Sequence, residues 1–399
     1  RVIDPFPLLG LLDNPGLQRK CAETYTSLNY SQSSPSSKIE PYLNHSKIRI
    51  GYFSSDFHNH ATMHLMAELF ESHNKEKFEI FAFSFGPNKN DSWRDRVKSS
   101  VDEFLDVSLV SDYQVTLLAK EKEIDIAIDL KGYTHNSRPK IFSEGCAPIQ
   151  VSYLGYPGTM GAKFIDYLIA DRVLIPKKEQ KYYSEKIVYM PDSYQVNMSK
   201  RTISKAYFSR EDLGLPEKGF VFCCFNNNYK VTPSTFASWI RILKAVDGSV
   251  LWLFETNSFS SSQLKKEATK YGVDEERLVF AKRLPVEEHL SRLKQADLFL
   301  DTLPYNAHTS CSDALRVELP ILTLIGKSFA SRVAGSLLNA VNLPELITNT
   351  PEEYEALAIE LATHPEKLKV IKEKLASNLS TAPLFDTKRF TKNLESAYT

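Results

Sequence analysis

The sequence predicts an α/β chain of two lobes, each a parallel β-sheet covered on both faces by helices. Three observations predict it. The 399 residues exceed one ordinary hydrophobic core and fit two domains of common size. Short runs that are apolar almost throughout alternate with amphipathic stretches, as in strands buried on both faces and joined by crossover helices. This alternation comes in two series, separated near Asp192–Arg210 by a polar stretch, DSYQVNMSKRTISKAYFSR, that lacks periodicity.

In the first series the strands are expected at Ile48–Phe53, Phe78–Phe83, Ile124–Leu130, Ile149–Leu154, Tyr167–Ala170 and Ile187–Met190. In the second they fall at Phe220–Phe225, Val250–Phe254, Leu278–Ala281, Leu298–Asp301 and Ile321–Ile325. Helical spacing marks Met63–Glu71, Tyr113–Lys122, Ser234–Val246, Ser260–Tyr271, Val286–Gln295 and Ala330–Ala340. Before the first strand, Asp4–Asn29 reads as one or two short helices interrupted by Pro7 and Pro15, followed by a polar linker, Ser31–Ser37. After the last strand, Pro365 and Pro383 divide Pro351–Thr399 into about three helices. The expected division is 1–47 for N-terminal helices and linker, 48–203 for the first lobe and 204–399 for the second, with the last helices packing back on the first lobe.

Composition excludes several classes. Hydrophobic residues at 42 % and charged residues at 25 % describe a globular protein, not a disordered one. Lys+Arg and Asp+Glu are both 49, so no net field draws the chain to nucleic acid or anionic lipid. No apolar run approaches the ~20 residues that span a bilayer. The five cysteines are odd in number and show no C-x-x-C spacing, which argues against a disulfide framework or zinc site and for a reducing compartment, read as cytoplasmic. No Walker A loop and no G-x-G-x-x-G is present, which disfavours a P-loop NTPase or a dinucleotide dehydrogenase.

Chemistry is expected in the loops after the strands, because open parallel sheets bind ligands at their carboxyl ends and two such lobes face to face would gather those loops in a cleft. In Asp301-Thr-Leu-Pro-Tyr-Asn-Ala-His-Thr-Ser-Cys-Ser-Asp313 a strand ends, Pro304 and Asn306 make a turn, and a helix should begin near Thr309 or Ser310. A helix start with two hydroxyls suits a phosphate, and Asp313 suits a ribose; an ordinary Ser/Thr cap explains the same spacing. In Phe225-Asn-Asn-Asn-Tyr-Lys-Val-Thr-Pro-Ser234, Thr232 and Pro233 read as N-cap and first helical residue, and Lys230 is placed to neutralise a diphosphate or simply to be solvated. In Ser54-Ser-Asp-Phe-His-Asn-His-Ala-Thr-Met-His64, the three histidines suit acid/base or hydrogen-bonding work better than metal, although Asp56 and Glu68 lie within reach of the same stretch. His60 and His64 would share a helix face if the helix began there. Three further loops look built for a cleft: Asp129–Thr134 (DLKGYT), Leu154–Gly161 (LGYPGTMG) and Arg283–His289 (RLPVEEH).

Taken in order, the stretches GYFSSDFHNHATMHLM, DLKGYTHNSR, APIQVSYLGYPGTMGAKFIDY, YSEKIVYMPDSYQVN, FCCFNNNYKVTPSTF, SVLWLFE, LPVEEHL, LDTLPYNAHTSCSDAL and ASRVAGSLL resemble the catalytic region of the O-GlcNAc transferase family, including its bacterial and plant Spindly-type members. They run from about Ile48 to Ala340. The resemblance implies a GT-B fold and an inverting, metal-independent transfer of GlcNAc from UDP-GlcNAc to a Ser/Thr hydroxyl of a protein, with no cofactor, nucleic acid or membrane partner. By position it implies Lys230 at the donor diphosphate, with Asn227 beside it. It likewise implies that His308, Thr309 and Ser310 form the phosphate and uridine loop and that Asp313 holds the ribose. Leu284, His289 and Arg292 fall on the uridine side. By the same resemblance His60 corresponds to the active-site histidine, as base or as orienting group.

Three departures from the animal enzymes bear on this. Ser310 and Asn227 are substitutions that still hydrogen-bond, Val286 stands where a lysine lies beside the uracil, and the lobes join directly without a large insertion. The PDSYQVN segment resembles the bacterial and Spindly-like branch, some of whose plant members use GDP-fucose. A protein O-fucosyltransferase and a non-catalytic UDP-sugar-binding module therefore stand as alternatives. Relatives carry tetratricopeptide repeats ahead of this region, of which the Asp4–Asn29 helices would be a remnant or cap.

Overall fold

The computed structural model describes residues 3–30, 39–43 and 45–399. The expected linker at Ser31–Ser37 lies outside the described residues. Contacts divide the chain into two units, Arg1–Ser199 with Pro383–Thr399, and Lys200–Ala382. The division after Ser199 lies four residues before the expected one, and the N-terminal helices are part of the first unit rather than a separate segment.

Unit 1 is a parallel sheet of β1 (Ile48–Ser54), β2 (Phe78–Ser84), β3 (Glu103–Asp106), β4 (Ile126–Asp129), β5 (Ile149–Ser152), β6 (Tyr167–Asp171) and β7 (Lys186–Met190), in the order β3-β2-β1-β4-β5-β6-β7. Unit 2 is a parallel sheet of β8 (Val221–Cys224), β9 (Val250–Phe254), β10 (Leu278–Ala281), β11 (Leu298–Leu300), β12 (Ile321–Leu324) and β13 (Ile347–Thr348), in the order β10-β9-β8-β11-β12-β13. Both are Rossmann-like: each chain winds outward from its first strand, then returns to wind the other way. The order reverses between β1 and β4 in unit 1 and between β8 and β11 in unit 2. These are the switch points where such sheets leave a crevice at their carboxyl ends.

The central strands are buried because their side chains are apolar on both faces. In β1, Ile50, Tyr52 and Phe53 are fully buried, and the Phe53 ring stacks on Phe83 of β2 with centroids 4.3 Å apart. Helix starts are set by local chemistry. Thr232 caps the helix Pro233–Ala245 by accepting from the Thr235 N–H, with Pro233 at its first position. Asn14 caps Pro15–Asn29 in the same way, so Pro15 begins a helix rather than breaking one. The elements absent from the sequence reading are polar or very short. β3 (EFLD) is a half-exposed edge strand, and β13 has two residues. The helix Ser92–Ser100 buries only Arg94 and Val97. There, Arg94 pairs with Asp106 at 2.7 Å and donates to Ser84 at 2.9 Å, which anchors a buried guanidinium that no hydrophobic period announces.

Of the C-terminal helices, Pro351–Thr363 and Pro365–Leu379 belong to unit 2, and Thr387–Tyr398 belongs to unit 1. The last is fastened by Thr387 to the Asn197 carbonyl at 2.7 Å and by a bidentate Arg389–Asp192 pair at 2.7 and 2.8 Å.

The N-terminal helix Pro15–Asn29 docks on the loop after β5. Thr26 donates to the Met160 carbonyl at 2.9 Å, and the Tyr133 hydroxyl, from the loop after β4, donates to the same carbonyl at 2.7 Å. Gly161, at φ +59°, lets the helix backbone approach; a Cβ there would lie 2.4 Å from the Glu23 nitrogen. The Leu154–Gly161 loop, expected to admit a ligand or a backbone, therefore uses this glycine to admit backbone. Gly145 has a similar φ of +70° but open space around it. Gly145→Ala is expected to cost only the left-handed backbone term, about 1 kcal/mol, whereas Gly161→Ala should lower the urea midpoint by clearly more. Equal losses would show that the helix contact contributes nothing.

Candidate functional site

The switch point of unit 2 gathers the two loops that the sequence singled out. Asn226, just after β8, donates to the Asp301 carboxylate at 3.3 Å and to the Thr302 hydroxyl at 2.7 Å, both just after β11. Its carbonyl oxygen accepts from Ser310 at 2.6 Å, so one amide joins the first loop to the helix Thr309–Arg316. Asp301 accepts further from the Thr302 and Ala307 N–H groups at 2.8 and 2.6 Å and from Thr323 at 2.7 Å. Burial raises its pKa, against these bonds and Lys230, which lower it.

Lys230 is 8 % exposed. Its ammonium donates to the Asn306 carbonyl at 2.8 Å and lies 4.1 Å from the centroid of the Tyr305 ring. Burial lowers its pKa, and Asp301 opposes that shift. The Tyr305 ring lies 4.8 Å from the His308 ring, so Lys230 and His308 flank the same aromatic. Burial, then Lys230, push the His308 imidazole well below its ordinary value, so it is neutral. Its Nε2 lies 3.2 Å from the Ala330 carbonyl. A carbonyl only accepts, so Nε2 carries the proton and Nδ1 offers a lone pair.

The helix begins at Thr309, as its spacing predicts, and no side chain caps it. His308, Thr309 and Ser310 are half-exposed. An uncapped helix start offers free N–H donors and positive potential, which suit a phosphate, and the buried ammonium is held on the same loop at the Asn306 carbonyl. Thr232 and Thr235 hold this arrangement from behind: both donate to the Leu303 carbonyl in the turn, at 3.2 and 2.9 Å.

Asp313 is buried one turn into the helix and forms an ion pair with Arg201, whose side chain is 3 % exposed. Burial raises the Asp313 carboxyl, and Arg201 opposes this. Sequence reasoning missed Arg201 because it lies in the polar stretch between the two series, 112 residues from its partner, where nothing local marks it. It also missed Asn226, which read as one of three turn asparagines. Asn227, the one chosen, is exposed and caps a short turn through the Asn228 N–H at 3.1 Å. His289 accepts from Arg292 Nε at 3.1 Å, and Arg292 also donates to the Lys282 carbonyl at 2.6 Å and packs over Phe225 at 5.1 Å. Burial, then Arg292 and Arg201, lower His289 to about 3. Leu284 is half-buried in the segment joining β10 to the helix Val286–Leu293.

In unit 1, His60 stands before the helix Ala61–Ser72 as its N-cap, in extended conformation, so it does not share a helix face with His64. Its Nδ1 accepts from the Thr62 N–H at 3.2 Å. His64 bonds Asn59 at 2.8 Å and packs on Trp93, and His58 is buried. Among the described residues no group of three or more His, Cys, Asp or Glu is placed to hold a metal ion, and all five cysteines are free. No helix among them is long and apolar enough to cross a membrane.

Residues 21–205 and 198–394 match the model of glycosyl transferase family 41. The chain is 41 % identical over 358 residues to a probable UDP-N-acetylglucosamine–peptide N-acetylglucosaminyltransferase, SEC, of Arabidopsis thaliana, covering 88 % of this chain and 37 % of that protein. It is 28 % identical over 464 residues to the UDP-N-acetylglucosamine–peptide N-acetylglucosaminyltransferase of Caenorhabditis elegans, covering 88 % and 40 %. The chain thus spans about two fifths of the length of these relatives. Among solved structures, a mutant of the Thermobaculum terrenum O-GlcNAc transferase superposes with a TM-score of 0.88 at 28 % identity, covering 97 % of this chain and 74 % of that one. These matches bear out both the resemblance to the O-GlcNAc transferase catalytic region and the GT-B fold class it implied: the chain belongs to glycosyl transferase family 41.

Proposed function

We propose that this chain moves GlcNAc from UDP-GlcNAc to Ser/Thr hydroxyls of proteins, with inversion at C1, without a metal ion and in the cytoplasm. The observation that carries the reading is the buried Lys230 ammonium beside the uncapped helix start at Thr309–Ser310. The names of the relatives supply the donor and the acceptor class. The acceptor oxygen forms a bond to C1 from the side opposite UDP, which inverts that centre. The C1–O bond to the β-phosphate breaks, and its electron pair stays on the phosphate oxygen. Lys230 and the helix N–H groups stabilise the charge that grows there, the work that a metal ion does in other transferases. Asp313 and Arg201 serve the ribose, and Leu284, His289 and Arg292 the base; Asn227 borders the diphosphate.

His60 orients the acceptor hydroxyl or takes its proton. In either role the neutral ring is the competent form, because a proton on Nδ1 would displace the Thr62 N–H from its cap.

Incubating the chain with acceptor proteins in EDTA, with UDP-GlcNAc or GDP-fucose, and weighing the products by mass spectrometry tests this reading. HexNAc addition from UDP-GlcNAc is expected; deoxyhexose addition from GDP-fucose alone, or UDP binding without transfer, would replace it. Lys230→Ala is expected to slow transfer on the order of 100- to 1000-fold, and near-normal turnover would remove Lys230 from the mechanism. UDP affinity, measured by calorimetry, should fall as pH rises from neutrality toward the ordinary lysine range, because burial has lowered the Lys230 pKa and the diphosphate selects its charged form. Lys230→Arg should flatten that dependence; a dependence that persists in this variant would assign it to another group.

A further inference from the structure

The switch point of unit 1 carries an ion pair that the sequence reading left unused. The ammonium of Lys131, in the loop after β4, lies 2.6 Å from Oδ2 of Asp56, in the loop after β1. The two side chains are 6 % and 10 % exposed, so the pair is tied across the strand ends away from water. The loop itself is held by Asp129, whose Oδ1 accepts from the Lys131 and Gly132 N–H groups at 2.8 and 3.1 Å.

The same Asp56 oxygen lies 3.6 Å from Nδ1 of His60, beyond hydrogen-bond range. Nδ1 instead accepts from the Thr62 N–H, so the neutral ring carries its proton on Nε2. Without Lys131, a buried Asp56 carboxylate would need another cation. A proton on His60 Nδ1 is the nearest source, and it would break the cap.

We propose that Lys131 is a positioning residue for His60: by occupying the Asp56 carboxylate, it leaves Nδ1 unprotonated and the imidazole fixed on the Thr62 N–H. The charged and titratable groups facing His60 are Asp56, Lys131, His58 and Lys89, and His58 in turn acts on Asp91. Partial burial lowers the His60 pKa; Asp56 raises it, and Lys131, His58 and Lys89 lower it. On Asp56, burial raises the pKa, but His60 and Lys131 together hold it below the usual carboxylate value. The catalytic consequence rests on the proposed role of His60 in transfer; the positioning itself does not.

Histidine-selective NMR titration of the full chain tests this, with the His60 signal assigned from a His60→Gln variant. Lys131→Met should raise the His60 midpoint by about one pH unit or more, and Lys131→Arg should leave it in place. The double variant Asp56→Asn/Lys131→Met, which carries no unpaired buried charge and so folds even if the single variant does not, should titrate no higher than wild type. In the transfer assay the acid limb of kcat should move upward with the midpoint in Lys131→Met and stay put in Lys131→Arg. An unmoved midpoint in Lys131→Met, or a raised one in the double variant, overturns the proposal. Absence of transfer by the wild-type chain would instead overturn the proposed function, and the titration would still read.

Discussion

The carboxylate of Asp301 accepts four hydrogen bonds from groups on three separate stretches of unit 2: Asn226 after β8, the Thr302 and Ala307 amides in the turn after β11, and Thr323 on β12. A buried carboxylate left bare would be costly, and this one is made tolerable only by that set of donors and by the nearby Lys230 charge. The constraint runs in both directions. The donors have to be where they are to satisfy Asp301, and their positions place Asn226 against Ser310 and draw the turn carrying Asn306 under the Lys230 ammonium. The proposed anion site is thus a by-product of satisfying one buried charge at a switch point.

Unit 1 solves a related problem with different residues. At its own switch point the loops after β1 and β4 are joined by a direct ion pair, Asp56–Lys131, rather than by an amide and a carboxylate. The consequence differs too. In unit 2 a lysine is kept beside the loop proposed to take a phosphate, with its pKa lowered by burial. In unit 1 a lysine pairs with the carboxylate that would otherwise favour a proton on a histidine. One topology supplies both crevices, and the side chains at the strand ends decide what each can do.

The strands were legible in the sequence because a strand buried on both faces is apolar almost throughout; all eleven expected strands are present within a few residues of their expected bounds. Caps were legible for the same kind of reason: Thr232–Pro233 and the Thr309 start are local patterns with local causes. What could not be read depends on distance in the chain. Arg201 and Asp313, Lys131 and Asp56, and Asn226 and Asp301 are pairs separated by tens of residues, and polar residues carry no period that reveals a distant partner. The helix Ser92–Ser100 was missed because its buried anchor is an arginine. The choice of Asn227 over Asn226 shows the same limit, since three adjacent asparagines differ only in what the fold sets opposite them.

A crystal structure of the chain with UDP bound tests the central claim most directly. The account predicts diphosphate oxygens within hydrogen-bond distance of Lys230 Nζ and of the backbone N–H groups at Thr309 and Ser310, with Asp301 still holding its four donors. A nucleotide bound elsewhere, or bound with Lys230 still turned onto the Asn306 carbonyl and no phosphate at the helix start, would contradict it.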